Sequence, residues 1–284
     1  MSQVIACVDE SASMSSVCDY AAWAATRLGT GVQLLHILDP REYDRVTPDY
    51  GGNLGLGGAD AALEAMVVQH KDAARQAQQR GQAVIDRASA RLQDAGILQM
   101  EAHQRHGSLV ESVADISSSA ALIVIGKHGE TTVRTQDHVG KHLEVVVRGV
   151  HTPVLVTSHD FQPIDRIMLA FDGSPSTRKA VEFVETSSLL RGVECRIVSV
   201  GKDERHLRTQ AEQAADRLVN AGFEVTVDLL AGKPDQVLAN LTTASGANLL
   251  VMGAYGHSRI RELIIGSTTT AILRSSPVPV LIIR

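Results

Sequence analysis

The chain has 284 residues, of which 44% are hydrophobic, 21% are charged and only 3% are aromatic. This length suits one large domain or two ordinary ones, and the aliphatic composition excludes disordered and collagen-like proteins. The net charge of −5, with no basic block, argues against a dedicated nucleic-acid binder.

The apolar segments are short. None approaches the roughly 18 residues that a transmembrane helix needs, and the run Val4–Val8 stops at Asp9 with no basic region before it. We therefore expect no membrane span, no signal peptide and a cytoplasmic protein. The cysteines Cys7, Cys18 and Cys195 lack Cys-x-x-Cys spacing and are too few for a disulfide framework. Cys7 lies in the first predicted strand, where a small core residue of low thiol reactivity is expected.

Four segments of the first half return in the same order in the second half. They pair Val4–Ser13 with Ile167–Ser176, Gln33–Leu38 with Arg196–Val200, Leu122–Gly129 with Leu249–Gly256, and His151–Val156 with Ser276–Ile283. Such ordered self-similarity indicates a tandem duplication, and its period is too long for a solenoid repeat.

Each copy alternates short β-rich runs with helical stretches. The runs are continuously apolar, which is typical of parallel strands buried on both faces. A helix is predicted after Ser174 and Pro175, because serine can cap a helix and proline fits its first turn. Glycines that predict helix ends are Gly29, Gly96, Gly192 and Gly222. The alternation predicts a doubly wound α/β fold in each half, with right-handed crossovers.

Two domains are expected, at residues 1–158 and 164–284, with Thr157–Asp165 as the linker. The charge is divided unevenly between them. The first 160 residues hold 13 Lys and Arg against 19 Asp and Glu, a net −6, whereas the remainder holds 14 against 13, a net +1. The second half is therefore better suited to an anionic ligand.

The first copy carries an insert at residues 40–80. It begins with the glycine-rich Tyr50–Gly58 and continues into an Ala/Gln-rich helical segment around Ala61–Gln82. We expect the glycine-rich part to be a mobile surface loop. A lid over a ligand is the less favoured alternative.

The candidate ligand site is the pattern Gly253-x2-Gly256-x9-Gly266-Ser267. Leu249–Met252 is predicted to be a buried strand, after which the glycines let the backbone turn close to a ligand. The Gly-Ser-Thr-Thr run then opens a helix whose free N–H groups and hydroxyls suit an anion. Open α/β sheets bind ligands beyond the carboxyl ends of their strands, where this loop is expected. Glycines that serve only turns and a helix cap are the alternative, which the hydroxyl run disfavours.

These residues resemble the universal stress protein family, whose nucleotide-binding members carry Gly-x2-Gly-x9-Gly-Ser/Thr. Both halves share the likeness, so the chain is similar to a tandem universal stress protein. The resemblance implies, in each half, a five-stranded parallel sheet of order 3-2-1-4-5 flanked by helices. It also implies an adenine-nucleotide site for ATP, with Mg²⁺ as a candidate companion. The implied residues are Asp172, Val200, Met252 and Gly253 around the nucleoside, and Gly256, Gly266, Ser267, Thr268 and Thr269 around the phosphates.

The corresponding loop of the first copy departs from this pattern. Gly126-x2-Gly129 is present, but ten residues separate Gly129 from Gly140, and Lys141 stands where Ser or Thr is expected. Because the added residue shifts the loop and a hydroxyl is lost, we expect nucleotide in the second domain only.

Histidines raise the question of a metal site. Nine of the eleven lie in the first half, and His138 and His142 are four residues apart, a spacing that suits zinc on one helical face. No glutamate lies between them in the metalloprotease arrangement, and no cysteine cluster accompanies them. Exposed or capping histidines are therefore favoured, and no metal site is assigned.

The leading hypothesis is a nucleotide-binding stress or regulatory protein whose ATP occupancy alters its stability or its contacts with a protein partner. The sequence has no Walker motif, no Gly-x-Ser-x-Gly elbow and no paired catalytic carboxylates, so no catalytic residue is assigned and slow ATP turnover is the most that is expected. The alternatives are an adenine-nucleotide alpha hydrolase-like enzyme and a scaffold that binds no nucleotide. The enzyme would need a Ser-Gly-Gly-x-Asp-Ser loop, whereas Asp172–Ser176 has one glycine in another register.

The last apolar run of each copy predicts how the copies join. Val154–Thr157 and Val278–Ile283 are expected to lie side by side across a pseudo-twofold interface within one chain. Such pairing would remove an aggregation-prone sheet edge. A further homodimer of chains is left open.

Overall fold

The structure is a computed structural model that describes residues 2–39, 58–127, 141–157, 160–201, 205–254 and 267–284. The first half contains β1 (Gln3–Cys7), α1 (Met14–Leu28), β2 (Val32–Leu38), α2 (Gly58–Asp94), β3 (Met100–His106), α3 (Leu109–Ser117), β4 (Ala120–Gly126), α4 (Lys141–Gly149) and β5 (Val154–Thr157). The second half contains β6 (Arg166–Ala170), α5 (Pro175–Thr186), a 3-10 turn (Ser188–Leu190), β7 (Glu194–Val200), α6 (Arg205–Asn220), β8 (Val225–Leu230), α7 (Pro234–Ser245), β9 (Leu249–Gly253), α8 (Ser267–Ser275) and β10 (Val280–Ile283).

The ten strands form one sheet in the order β3-β2-β1-β4-β5-β10-β9-β6-β7-β8. Within each half the order is 3-2-1-4-5 and every pair is parallel. The predicted fold class, two tandem doubly wound α/β units, is therefore confirmed.

The two halves join through β5 and β10, which pair antiparallel. Leu155 lies opposite Leu281, with Val154 opposite Ile282 and Val156 opposite Val280. This confirms the predicted pairing, but the second strand starts at Val280 instead of Val278. The reason is a turn before it, in which the Val278 amide donates to the Ser276 hydroxyl and the Ser276 hydroxyl donates to the Val278 carbonyl at 2.7 Å.

Two apolar layers cover the two faces of the sheet. Alternate strand residues point to opposite faces, so Ala6 belongs to one buried cluster and Ile5 to the other. Helices α1, α2, α5 and α6 pack on the first face, whereas α3, α4, α7 and α8 pack on the second. The continuously apolar strand sequences follow from this burial on both sides.

The predicted helix ends are mostly confirmed. Ser174 caps α5 by accepting a hydrogen bond from the Thr177 amide, and Pro175 occupies the first turn. Gly29 ends α1 in the left-handed conformation, with φ of 65°. Gly192 differs from the expectation, because α5 already ends at Thr186 and the glycine follows the 3-10 turn.

The insert ends in a long helix. The predicted helical segment is confirmed, since α2 has 37 residues against 16 in its counterpart α6. At 1.5 Å per residue α2 spans about 55 Å. The glycine-rich residues 50–57 lie outside the described part of the chain. No described helix combines the length and the apolarity that crossing a bilayer would require.

The linker between the halves is tied to α1. The Tyr20 hydroxyl donates to the Asp160 carbonyl at 3.3 Å and accepts from the Gln162 amide at 3.3 Å. Phe161 lies edge-on to the Tyr20 ring, with the ring centres 4.9 Å apart. These contacts hold the connection against the first half.

Candidate functional site

The predicted nucleoside residues lie at the carboxyl ends of three adjacent strands. Val200 and Gly253 are the last residues of β7 and β9, and Asp172 lies two residues after β6. Because β6 pairs with both β7 and β9, these residues meet at one edge of the sheet. The helix that follows β6, α5, packs on one face of the sheet, and the helix that follows β9, α8, packs on the other face. The carboxyl ends of β6 and β9 therefore form the topological switch point, where doubly wound sheets bind ligands.

Asp172 organises the turn that follows β6. Its Oδ1 accepts hydrogen bonds from the Ser174 amide at 2.9 Å and from the Thr177 hydroxyl at 3.0 Å. Gly173 between them has φ of 74°, a conformation that favours glycine. The Asp172 side chain remains exposed, so the turn presents a carboxylate, an acceptor, to the edge of the sheet.

Gly253 touches the chain itself. A Cβ added there would lie 2.6 Å from both the Ser176 carbonyl carbon and the Thr177 amide nitrogen. The end of β9 therefore presses against the first turn of α5, and glycine is required by this internal packing. The sequence pattern predicts a sharp turn and a close approach to a ligand at this glycine, but not this contact with α5.

The phosphate half of the motif is described only in part. Gly256 and Gly266 lie outside the described residues, while Ser267 and Thr268 are the first two residues of α8. Thr269, in the same turn, is buried, as is Met252 at the end of β9. Ile272 and Leu273 of α8 are buried in the apolar layer.

The matching edge of the first half is built differently. Asp9 accepts from both the amide and the hydroxyl of Ser11. The buried Ser16 hydroxyl donates to the buried Thr157 hydroxyl at 3.1 Å. The glycine loop beyond Gly126 lies, from residue 128 to 140, outside the described residues.

Lys127 is a residue that the sequence reasoning missed. It is half-buried, and its ammonium donates to the Arg274 carbonyl at 2.8 Å and to the Ser276 carbonyl at 3.1 Å. Burial lowers the pKa of this lysine. When the two glycine loops are aligned, Lys127 occupies the position of Ala254. This exchange of a small apolar residue for a cation is the sequence signal that could have identified Lys127.

The cysteines are buried thiols. Cys7, Cys18 and Cys195 form no disulfide, and burial raises the pKa of each to about 12. The position expected for Cys7, buried in the first strand, is confirmed. Across the described residues, no group of three or more His, Cys, Asp and Glu side chains is arranged to hold a metal ion. His138 and the side chain of His142 fall outside the described part.

Comparisons with known proteins agree with the fold. The sequence model of the universal stress protein family matches residues 1–158 and 198–284. A universal stress protein of Synechocystis sp. is 35% identical over the full length of both chains. One from Mycobacterium tuberculosis is 22% identical and aligns over 99% of this chain and 94% of its own. The crystal structure of a universal stress protein from Archaeoglobus fulgidus, 20% identical, superposes with a TM-score of 0.75 over 99% of this chain and 98% of that one.

The sheet order and the halves joined through β5 and β10 define a tandem doubly wound α/β protein. With the family match over most of its length and the full-length relative, the chain belongs to the universal stress protein family.

Proposed function

We propose that this protein binds an adenine nucleotide, with ATP as the expected ligand, in its second domain (residues 164–284), and that occupancy serves a regulatory or stress-protective role in the cytoplasm. The observation that carries the proposal is the adjacency of β6 and β9. It brings Asp172 and Gly253 to the switch point of the sheet, directly before the rest of the pattern Gly256-x9-Gly266-Ser267.

The charge at each part of the proposed site indicates which part of the nucleotide it would contact. An exposed carboxylate accepts hydrogen bonds and repels phosphate, so Asp172 suits the hydroxyls of a ribose. The phosphates suit the first turn of α8, where unpaired N–H groups and the helix dipole favour anions. Val200 and Met252 would border the nucleoside, and the hydroxyls of Ser267, Thr268 and Thr269 are the proposed additional phosphate donors.

One nucleotide per chain is expected. The first domain (residues 1–158) has ten residues between Gly129 and Gly140, and Lys141 in place of the hydroxyl residue. Its excess of acidic residues also opposes a polyanion. Mg²⁺ would accompany the phosphates without a dedicated protein cluster, since ATP can supply its own oxygen ligands.

The turn after β6 is a poor pyrophosphate loop, which weighs against the alpha hydrolase-like alternative. The amides of Ser174 and Thr177 already donate to Asp172 and to the Ser174 hydroxyl, and Pro175 has no N–H. Few backbone donors remain in this turn for a pyrophosphate, so binding without rapid chemistry is the function that we favour.

The decisive experiment examines the purified protein for bound nucleotide by mass spectrometry after denaturation, followed by calorimetric titration of the stripped protein with ATP. We expect an adenine nucleotide and a stoichiometry of one per chain. Absence of binding would favour the scaffold alternative, and two sites per chain would contradict the asymmetry. Rapid ATP loss with a defined second substrate would favour the enzyme.

A further inference from the structure

Lys127 connects the glycine loop of the first domain to the second domain. It follows β4 directly, and its amide donates to the Thr157 carbonyl at the end of β5. From this fixed backbone position the side chain crosses to α8. Its ammonium contacts two carbonyls, those of Arg274 and Ser276.

The Lys127 ammonium caps the carboxyl end of α8. The last carbonyls of a helix have no partner within the helix, and a cation there is stabilised both by hydrogen bonds and by the helix dipole. Lys127 provides both from the other domain, half-buried at the junction. The helix is only nine residues long, about 13 Å, so its two ends move as one body.

A related contact occurs at the opposite end of the interface. The Arg284 guanidinium, after β10, donates to the Arg148 carbonyl in α4. Each domain therefore supplies a cation to the carboxyl end of the other domain's last helix, but the two positions are not equivalent in sequence. This second contact provides a matched control, since α4 belongs to the half that is not expected to bind nucleotide.

We infer that Lys127 is a positioning residue for the nucleotide site of the second domain. By holding the carboxyl end of α8, it sets the orientation of the helix whose first turn receives the phosphates. The inference rests on the proposed function and adds a residue that positions the helix of the binding site.

We expect Lys127 to affect ATP binding through the position of α8 and not through direct electrostatic attraction of the phosphates. The ammonium and the first turn of α8 are separated by the length of the helix, about 13 Å, which exceeds the screening length of about 8 Å at physiological ionic strength. A direct Coulomb effect of Lys127 on the phosphates is therefore small. Loss of the cap, in contrast, loosens the helix at any salt concentration.

The test compares ATP affinity in Lys127→Met, Lys127→Arg and Arg284→Met, each as the full chain, by calorimetry. We expect Lys127→Met to raise the Kd about fivefold, within the usual range of site-to-site coupling, with the same ratio in low and high salt. Lys127→Arg, which can still donate to both carbonyls, should restore affinity. Arg284→Met should lower the melting temperature as Lys127→Met does and leave the Kd unchanged.

Three results would overturn the inference: an unchanged Kd in Lys127→Met, a change that vanishes in high salt, or an equal change in Arg284→Met. If the parent protein binds no ATP, the proposed function fails first and the inference with it. If Lys127→Met does not fold, hydrogen exchange of the parent decides. ATP must then slow exchange of the Lys127 amide and of the last turn of α8, and no slowing there would refute the coupling.

Discussion

Gly253, the last residue of β9, lies so close to Ser176 in the first turn of α5 that a methyl group does not fit between them. The added carbon would be 2.6 Å from the Ser176 carbonyl carbon and 2.7 Å from its hydroxyl oxygen. Gly253 and Ser176 are both buried. The atoms that an added methyl group would meet include backbone atoms, which cannot rotate away as a side chain can. The contact joins the end of β9 to the first turn of α5, beside the proposed nucleoside site.

Gly253→Ala should therefore destabilise the protein in the absence of any ligand. Overpacking of this kind costs about 1–3 kcal/mol, which thermal or urea unfolding of the nucleotide-free protein would measure. Gly149→Ala at the end of α4 is the control, because an added Cβ there meets nothing within 4 Å. Equal stability of the two variants would contradict the close approach.

Gly266→Val should abolish ATP binding, since the side chain would stand where the backbone must approach phosphate. The matched change Gly140→Val should leave ATP affinity almost unchanged, because the first domain lacks the family spacing. Calorimetry on both variants measures this, with far-UV circular dichroism to show that each remains folded. Loss of binding in the Gly140 variant alone would reverse the assignment of the domains.

Leu155 and Leu281 should be energetically coupled across the junction of the two halves. They are register partners in β5 and β10, and both are fully buried. Each change to Ala should cost about 2–5 kcal/mol, and the double variant should cost about 1 kcal/mol less than the sum. Fluorescence of Trp23, the single tryptophan, follows unfolding.

The control for that cycle pairs Leu155 with Leu34 in β2. Leu34 is equally buried but lies three strands away in the sheet, so the two changes should add. Additivity in the Leu155–Leu281 pair as well would show that the halves do not meet through these strands in solution.

The three thiols should resist labelling in the folded protein. Burial raises their pKa to about 12, so almost no thiolate exists at mildly alkaline pH. The unfolded chain loses these protons at lower pH than the folded chain does. The free energy of unfolding should therefore fall as the pH rises from the ordinary thiol value of 9.0 towards 12.

A disulfide-exchange dye measures the labelling: none of the three cysteines should react in native buffer, and all three should react in denaturant. Rapid reaction of any one cysteine without denaturant would show that its part of the core opens readily.

Local patterns in the sequence were sufficient for much of the fold. Continuous apolar runs predicted strands buried on both faces, and the repeat order predicted two halves of the same fold. The start of α5, with Ser174 as its cap and Pro175 in its first turn, was also predictable. A helix cap depends only on residues within one turn of the chain. The helical part of the insert followed from its composition.

Other features depend on residues far apart in the chain, which only the tertiary structure brings together. Val278 suits a strand by its type, yet the Ser276 hydroxyl holds it in a turn. The motif predicts that Gly253 faces a ligand, whereas its close neighbour is Ser176. Nothing near Lys127 in the sequence predicts that its side chain reaches α8. Close approach of backbones and contacts between a side chain and a distant carbonyl depend on where the topology places whole elements, and no local pattern of residues specifies that position.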